Sequence, residues 1–188
     1  MVDKPFILAI DPGNEQSAFC LVSPELKPLA FGKYENTTYV YCGDFDTFEG
    51  RIRSAMIANH CETDNTIIVI ENIESFGMPV SRTVFDTCIY IGELKRHFES
   101  LGFKINYVFR HEEKMFICHS SKANDATIKQ ALVDRFAYGE KNYGKGTKRQ
   151  PGFFHGFSKD VWSAFAQAVT YHDKYLAGDD LHLNELPF

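Results

Sequence analysis

Phe6-Ile7-Leu8-Ala9-Ile10-Asp11-Pro12-Gly13-Asn14 carries a carboxylate out of the end of an apolar run and turns the chain directly behind it. A continuous apolar run of this length reads as a strand buried on both faces. Pro12-Gly13 then forces a tight turn in which the glycine can adopt positive φ, so Asp11 is held at a strand terminus. Alone, the motif has two readings: the start of a metal site, or an acid that merely initiates the turn.

Two later segments favour the metal site. Ile67-Ile68-Val69-Ile70-Glu71 is a second strand-like run that ends in an acid, and residues 159–170 form an amphipathic helix with Asp160 in its first turn. An acid at a helix start also complements the macrodipole. Carboxylates at the ends of two buried strands, however, repel one another and lose hydration, and a cation between them relieves both costs. Oxygen-only ligands suit a hard ion, Mg²⁺ or Mn²⁺, rather than zinc.

With "ILAIDPGNEQSAFCLV" from Ile7, "IIVIE" from Ile67 and "DVWSAFAQAVTY" from Asp160, in that order, the sequence resembles the RuvC family of Holliday-junction resolvases, within the RNase H-like nuclease superfamily. "SKANDATIKQALVDRF" from Ser121 and "GTKRQPG" from Gly146 bring it closer to the divergent RuvC-like proteins of bacteriophages and prophages. The likeness spans about residues 5–176. It implies an α/β, RNase H-like fold: a mixed five-stranded sheet, with an antiparallel meander of strands 1-2-3 plus parallel strands, flanked by helices. It also implies phosphodiester hydrolysis assisted by two Mg²⁺ or Mn²⁺ ions roughly 3.5–4 Å apart. Asp11 would bridge both ions, Glu71 would serve one and Asp160 the other, and the products would carry a 5′ phosphate and a 3′ hydroxyl.

The family's final helix supplies two metal-site residues three positions apart, and here the sequence departs from it. Asp160 meets the first position and Ser163 the second; shifting the register puts Phe157 at the first. Ser163 through a bound water, His155 from the preceding loop and Asp125 from a neighbouring helix start are the open alternatives for the fourth position. Asp125 also reads as a cap for its own helix, and His155 as an ordinary loop histidine.

At 188 residues and 44% hydrophobic, the chain can bury one substantial core. A single nuclease domain is expected over 1–177, followed by a short tail over 178–188. Cys20, Cys42, Cys61, Cys88 and Cys118 are odd in number and scattered in spacing, so they read as reduced, buried thiols of a cytoplasmic protein, in a bacterial host cell if the gene is a phage's. No signal segment or membrane-length run is visible, which leaves the Asn36-Thr37-Thr38 sequon without a role.

A net charge of −5 is unpromising for a DNA-binding protein, but the charge is unevenly distributed. Residues 1–103 hold eight basic and fifteen acidic side chains, residues 104–160 eleven and six, and residues 161–188 one and four. The middle block is therefore basic inside an acidic chain. Within it, Lys141, Lys145, Lys148 and Arg149 alternate with small and polar residues, as expected of a flexible loop that is either solvated or laid against phosphates. The resemblance adds Lys114 and Lys122 as backbone contacts, Phe76 as an aromatic able to stack on a base, and Arg82 near a phosphate. Glu74 reads as a solvated loop acid.

Patterning predicts strands near 6–11, 17–23, 28–41, 66–71 and 104–109, and helices near 46–61, 80–101, 124–138 and 159–176. Short links between the first three strands suggest an antiparallel meander, and the later alternation suggests parallel strands. The expected assembly is a homodimer, matching the twofold symmetry of a four-way junction, with Val84, Cys88, Ile91 and Leu94 as its contact stripe or as plain core. The end of the tail, Leu186-Pro187-Phe188, reads as packing on the domain, with recruitment of a host replication protein as the second reading. The functional expectation is a structure-selective endodeoxyribonuclease that resolves Holliday junctions, with no membrane partner. A less selective nuclease of branched or flapped DNA in phage replication or packaging, and a non-cleaving protein that binds DNA structure, are the alternatives.

Overall fold

Strand β1 (Phe6–Asp11) lies at the centre of a five-stranded sheet of order β3-β2-β1-β4-β5. The computed structural model describes residues 4–36, 47–74, 77 and 79–177. Cys42, Phe76, most of the sequon and the 178–188 tail lie outside the described residues. β2 (Gln16–Val22) and β3 (Pro28–Glu35) extend the sheet antiparallel on one side of β1. β4 (Thr66–Asn72) and β5 (Ile105–Phe109) extend it in parallel on the other. The mixed sheet flanked by helices is the RNase H-like architecture.

The period-2 pattern of the strands separates two cores. Ile7, Ala9, Ala18, Cys20, Val69 and Val108 face α5 (Lys159–Tyr175) and α4 (Asp125–Phe136). Leu8, Ile10, Phe19, Leu21, Ile68 and Ile70 face α1 (Phe48–Ala58) and α2 (Arg82–Ser100). Leu8 and Ile10 are completely buried, each stabilising the fold by about 1.5–3 kcal/mol relative to exposure. Small residues let α5 lie close to the sheet: Ala164, Ala166 and Ala168 are all fully buried.

Several expectations need correction. A nine-residue helix, α3 (Arg110–Cys118), follows β5 without any loop. Its run Arg110-His111-Glu112-Glu113-Lys114 has no apolar stripe and no Gly or Pro before it, so patterning gives no start signal. The start signal is a side chain: Glu112 accepts from the Phe109 N–H at 2.9 Å. β3 ends at Glu35, and residues 37–41 of the expected strand lie outside the described residues. Gly13 is needed for close approach rather than for positive φ, because a Cβ there would sit 2.3 Å from the Gln16 carbonyl oxygen. Cys88 is exposed and Cys118 half-buried, so only Cys20 and Cys61 fit the expectation of buried thiols among those described.

The expected dimer stripe does not form one surface either. Ile91 and Leu94 point into the core, Val84 is half-buried and Cys88 is exposed. The exposed apolar side chains of α2 are instead Phe85 and Ile89.

Candidate functional site

The sheet register builds the site. Asp11 pairs with Ala18, and Ala18 with Lys33. On the other side, Ile10 pairs with Ile70, which sets Asp11 beside Glu71, and Glu71 pairs with Val108. Lys33, Ala18, Asp11, Glu71 and Val108 thus form one row across all five strands, on the face that α5 covers. Such a row exists because side chains repeat every second residue along each strand. Its charged members stand where β1 and β4 end and the apolar cover of the sheet stops.

The Asp11 and Glu71 carboxyls lie within hydrogen-bonding reach of each other, an interaction that raises Asp11 and lowers Glu71. Burial, then the neighbouring Glu71 and Asp160, drives the Asp11 carboxyl well above the ordinary carboxylate range. Burial also raises Glu71, while its bond to Asp11, the charge of Arg110 and a hydrogen bond from Gln167 oppose that rise. Gln167 Nε2 donates to Glu71 Oε2 at 3.0 Å, while Gln167 Oε1 is buried with no partner.

Asp160, in the first turn of α5, adds its charge to Asp11 but is itself engaged, with Oδ2 2.7 Å from Lys33 Nζ. Among the described residues, no three His, Cys, Asp or Glu side chains close around one point as they stand. The donors nevertheless fit one hard cation. Two neighbouring buried carboxyls, both raised by burial, would both ionise beside a divalent ion, and their oxygens are the right chemistry for it.

α3 adds residues that sequence reasoning missed. Glu113 is fully buried, with Oε2 paired to Arg110 and Oε1 unpartnered. Burial, then Glu71, pushes its carboxyl well above the usual range, against the pull of Arg110. Arg110 also holds Asp125. The guanidinium therefore stands between two clefts and lines both. The larger, about 610 Å³, contains Asp11, Glu71, Glu74, Arg110, His111 and Lys114. The smaller, about 250 Å³, contains Arg110, Asp125, Lys129, Lys145, Trp162 and Ser163.

The expected basic loop is tied together by backbone hydrogen bonds. Gly146 bridges Pro151, Gly152 N–H bonds the Lys145 carbonyl at 3.1 Å, and Phe154 N–H bonds the Gly144 carbonyl at 2.9 Å. Gly144, at φ 71°, admits no side chain, since a Cβ would come 2.4 Å from that of Ala137. Lys145 lines the smaller cleft, and Lys148 and Arg149 are exposed at the loop tip. Lys129 joins them, its ammonium 4.1 Å from the Tyr143 ring centre and 5.1 Å from that of Trp162.

The remaining expected residues divide. Lys114 and Glu74 line the larger cleft, and Glu74 is paired with His111 rather than solvated. Asp125 is not the cap of α4, because Asn124 accepts the Ala126 and Thr127 N–H groups. Ser163 faces the smaller cleft, away from the lining of the larger one. His155 is exposed, borders neither cleft and contacts the Lys145 carbonyl through Nδ1 at 3.1 Å. Phe157 is buried core. Lys122 is exposed in the α3–α4 turn, next to Ser121 of the larger cleft. Arg82 is almost fully exposed and faces Asp86 at 3.9 Å, outside both clefts.

A mixed five-stranded sheet of this order, flanked by helices, defines an RNase H-like fold. The particular likeness is to RuvC. A structure of Thermus thermophilus RuvC in complex with a Holliday junction substrate has a TM-score of 0.62 at 14% identity, covering 90% of this chain and 94% of that one. A second Thermus thermophilus RuvC structure has a TM-score of 0.58 at 11% identity, covering 88% and 92%. No protein-family model and no curated protein matches the sequence. At such identities the likeness establishes the fold.

Proposed function

We propose that the chain is a divalent-cation-dependent endodeoxyribonuclease that acts on branched DNA, the four-way Holliday junction first. The observation that carries this reading is the Asp11–Glu71 pair, two carboxyls on adjacent parallel strand ends, facing an open cleft and flanked by Arg110 and Lys114. Acids forced together cost stability and have no structural use here, whereas a phosphodiesterase needs them. A Mg²⁺ or Mn²⁺ ion held by Asp11 and Glu71 would supply Lewis acidity toward a phosphate oxygen and an activated water. Gln167 orients the Glu71 carboxylate through its hydrogen bond. Arg110, fixed by Glu113 and Asp125, offers its charge to a phosphate at the boundary of the two clefts. Lys114 flanks the same cleft, and Lys129, Lys145, Lys148 and Arg149 grip the flanking backbone. The expected products are 5′-phosphate and 3′-hydroxyl ends.

Paired nicks across a twofold junction call for two copies of the chain. Phe85 and Ile89 on α2 form the apolar surface we assign to that contact, in place of the stripe expected from sequence. The test is cleavage of a four-way junction against a matched duplex, with Mg²⁺ and with chelator. Junction nicking that requires Mg²⁺ and disappears in Asp11→Asn supports the reading; equal nicking by both proteins overturns it. A second reading, a non-cleaving junction binder, draws on Ser163 at the fourth position and on the engagement of Asp160 by Lys33. Junction binding without any nicking is its outcome.

A further inference from the structure

We propose that the Lys33 ammonium stands in the place of a second cation, so that this site takes one divalent ion rather than two. The inference rests on the nuclease reading above. Lys33 and Asp11 flank Ala18 in a single cross-strand row, the smallest side chain lying between the two charged ones. Neighbouring strands are about 4.8 Å apart, so the backbones of Lys33 and Asp11 are separated by about 10 Å. Along α5, Asp160 and Gln167 are seven residues apart, a rise of about 10 Å as well. Asp160 Oδ2 lies 2.7 Å from Lys33 Nζ, and further along the helix Gln167 Nε2 donates to Glu71 Oε2 at 3.0 Å.

The charges point the same way. Glu113 is matched by Arg110 and Asp160 by Lys33, leaving Asp11 and Glu71 as the pair with no ion-pair partner among the described residues. One divalent ion balances those two carboxylates, while the Lys33 ammonium already balances Asp160. Ser163, one turn beyond Asp160, supplies no charge with which to hold another ion. The Lys33–Asp160 pair is about one-third exposed on both sides, and an ion pair that open adds little to stability. It is therefore free to serve the reaction. In hydrolysis a water oxygen joins phosphorus, the P–O3′ bond breaks, and the proton lost by water is balanced by one gained at O3′. Lys33 supplies only charge, as a compact ammonium with three donors.

The test counts ions. The full-length protein is titrated with Mn²⁺, free Mn²⁺ is followed by electron paramagnetic resonance, and sites absent from Asp11→Asn are scored. One such ion per chain is expected; two would overturn the proposal. Lys33→Met should keep that one ion and its thermal stability while cleaving about 10²-fold more slowly, and Lys33→Arg should retain more activity than Lys33→Met. Undiminished cleavage by Lys33→Met would also overturn it. Failure of the nuclease reading looks different: Asp11→Asn then binds as much Mn²⁺ as the unaltered chain.

Discussion

Asp173, near the C-terminal end of α5, is 7% exposed and accepts hydrogen bonds from Arg135 and His172, whereas Asp11 and Glu71, against the middle of the same helix, have chiefly each other and Gln167. Burial works to raise the Asp173 carboxyl, but the hydrogen bonds from His172 and Arg135 overcome it and hold it below its ordinary value. For Asp11, burial and the neighbouring acids act together, and the charge of Arg110 opposes them without overcoming them. One helix therefore borders a satisfied acid and an unsatisfied pair. A satisfied acid contributes to folding; an unsatisfied pair costs stability, and under the proposed function that cost is relieved by a cation.

Removing one acid from each region breaks the comparison most sharply. Asp11→Asn should lower cleavage by about 10³-fold or more, since it removes a charge from the reacting centre, while junction binding persists on the basic surface. In chelator at neutral pH the same substitution should raise the melting temperature. The sign follows from linkage: with its folded-state carboxyl raised, Asp11 binds a proton that the unfolded chain releases, so stability falls as pH rises above the ordinary carboxylate range. Added Mg²⁺ should stabilise the unaltered chain and not the variant. A lowered melting temperature for Asp11→Asn in chelator would refute the unsatisfied state.

Gln167 connects the helix to the unsatisfied pair, and its expected effect is next in size. Gln167→Leu should cost about 10–100-fold in Mn²⁺ affinity or cleavage, the usual consequence of losing a partner that orients a metal ligand. Because Gln167 Oε1 is already unpartnered, the apolar replacement should leave folding nearly unchanged. A large fall in stability with intact Mn²⁺ affinity would make Gln167 a core residue only.

Asp173→Asn is the counterpart, with an effect on stability alone. It should destabilise the fold by about 1–3 kcal/mol at neutral pH, with cleavage per folded molecule unchanged. Since its folded-state pKa is depressed, the contribution is present above the ordinary carboxylate value and is lost as pH falls through the depressed one. The difference between variant and parent should accordingly shrink in acid. A deficit that persists unchanged there would place it in packing rather than charge.

The contrast also shows what a sequence can reveal. Asp11 and Glu71 were legible because continuous apolar runs fix buried strands, and an acid ending such a run is conspicuous. The parallel pairing that sets them side by side followed from alternating strands and helices. Asp160 was legible as a position, but its engagement by Lys33 was not, because that contact depends on the register of β3 against β2 and the seating of α5. Arg110 and Glu113 were lost in a charged run that begins a helix without a turn. Asp173 and Gln167 looked like ordinary polar residues of an amphipathic helix; only tertiary packing separates the bonded one from the one with an oxygen to spare.

The smallest effect concerns the surface that should serve neither acid group. Lys145 lines the cleft beside Trp162 and Ser163, and Lys148 is exposed at the loop tip. Neither is paired with an acid among the described residues. Phosphate contacts release counterions, so each one adds about 0.9 to the slope of log affinity against log salt on duplex DNA. Lys145→Ala with Lys148→Ala should therefore flatten the slope by about two and weaken junction and duplex binding alike, because backbone contacts carry no sequence or branch information. Lys148→Ala alone should flatten it by about one. Fluorescence anisotropy across a salt series gives the slopes directly. A double variant whose affinity falls for the junction but not for the duplex would move the loop from general grip to recognition of the branch.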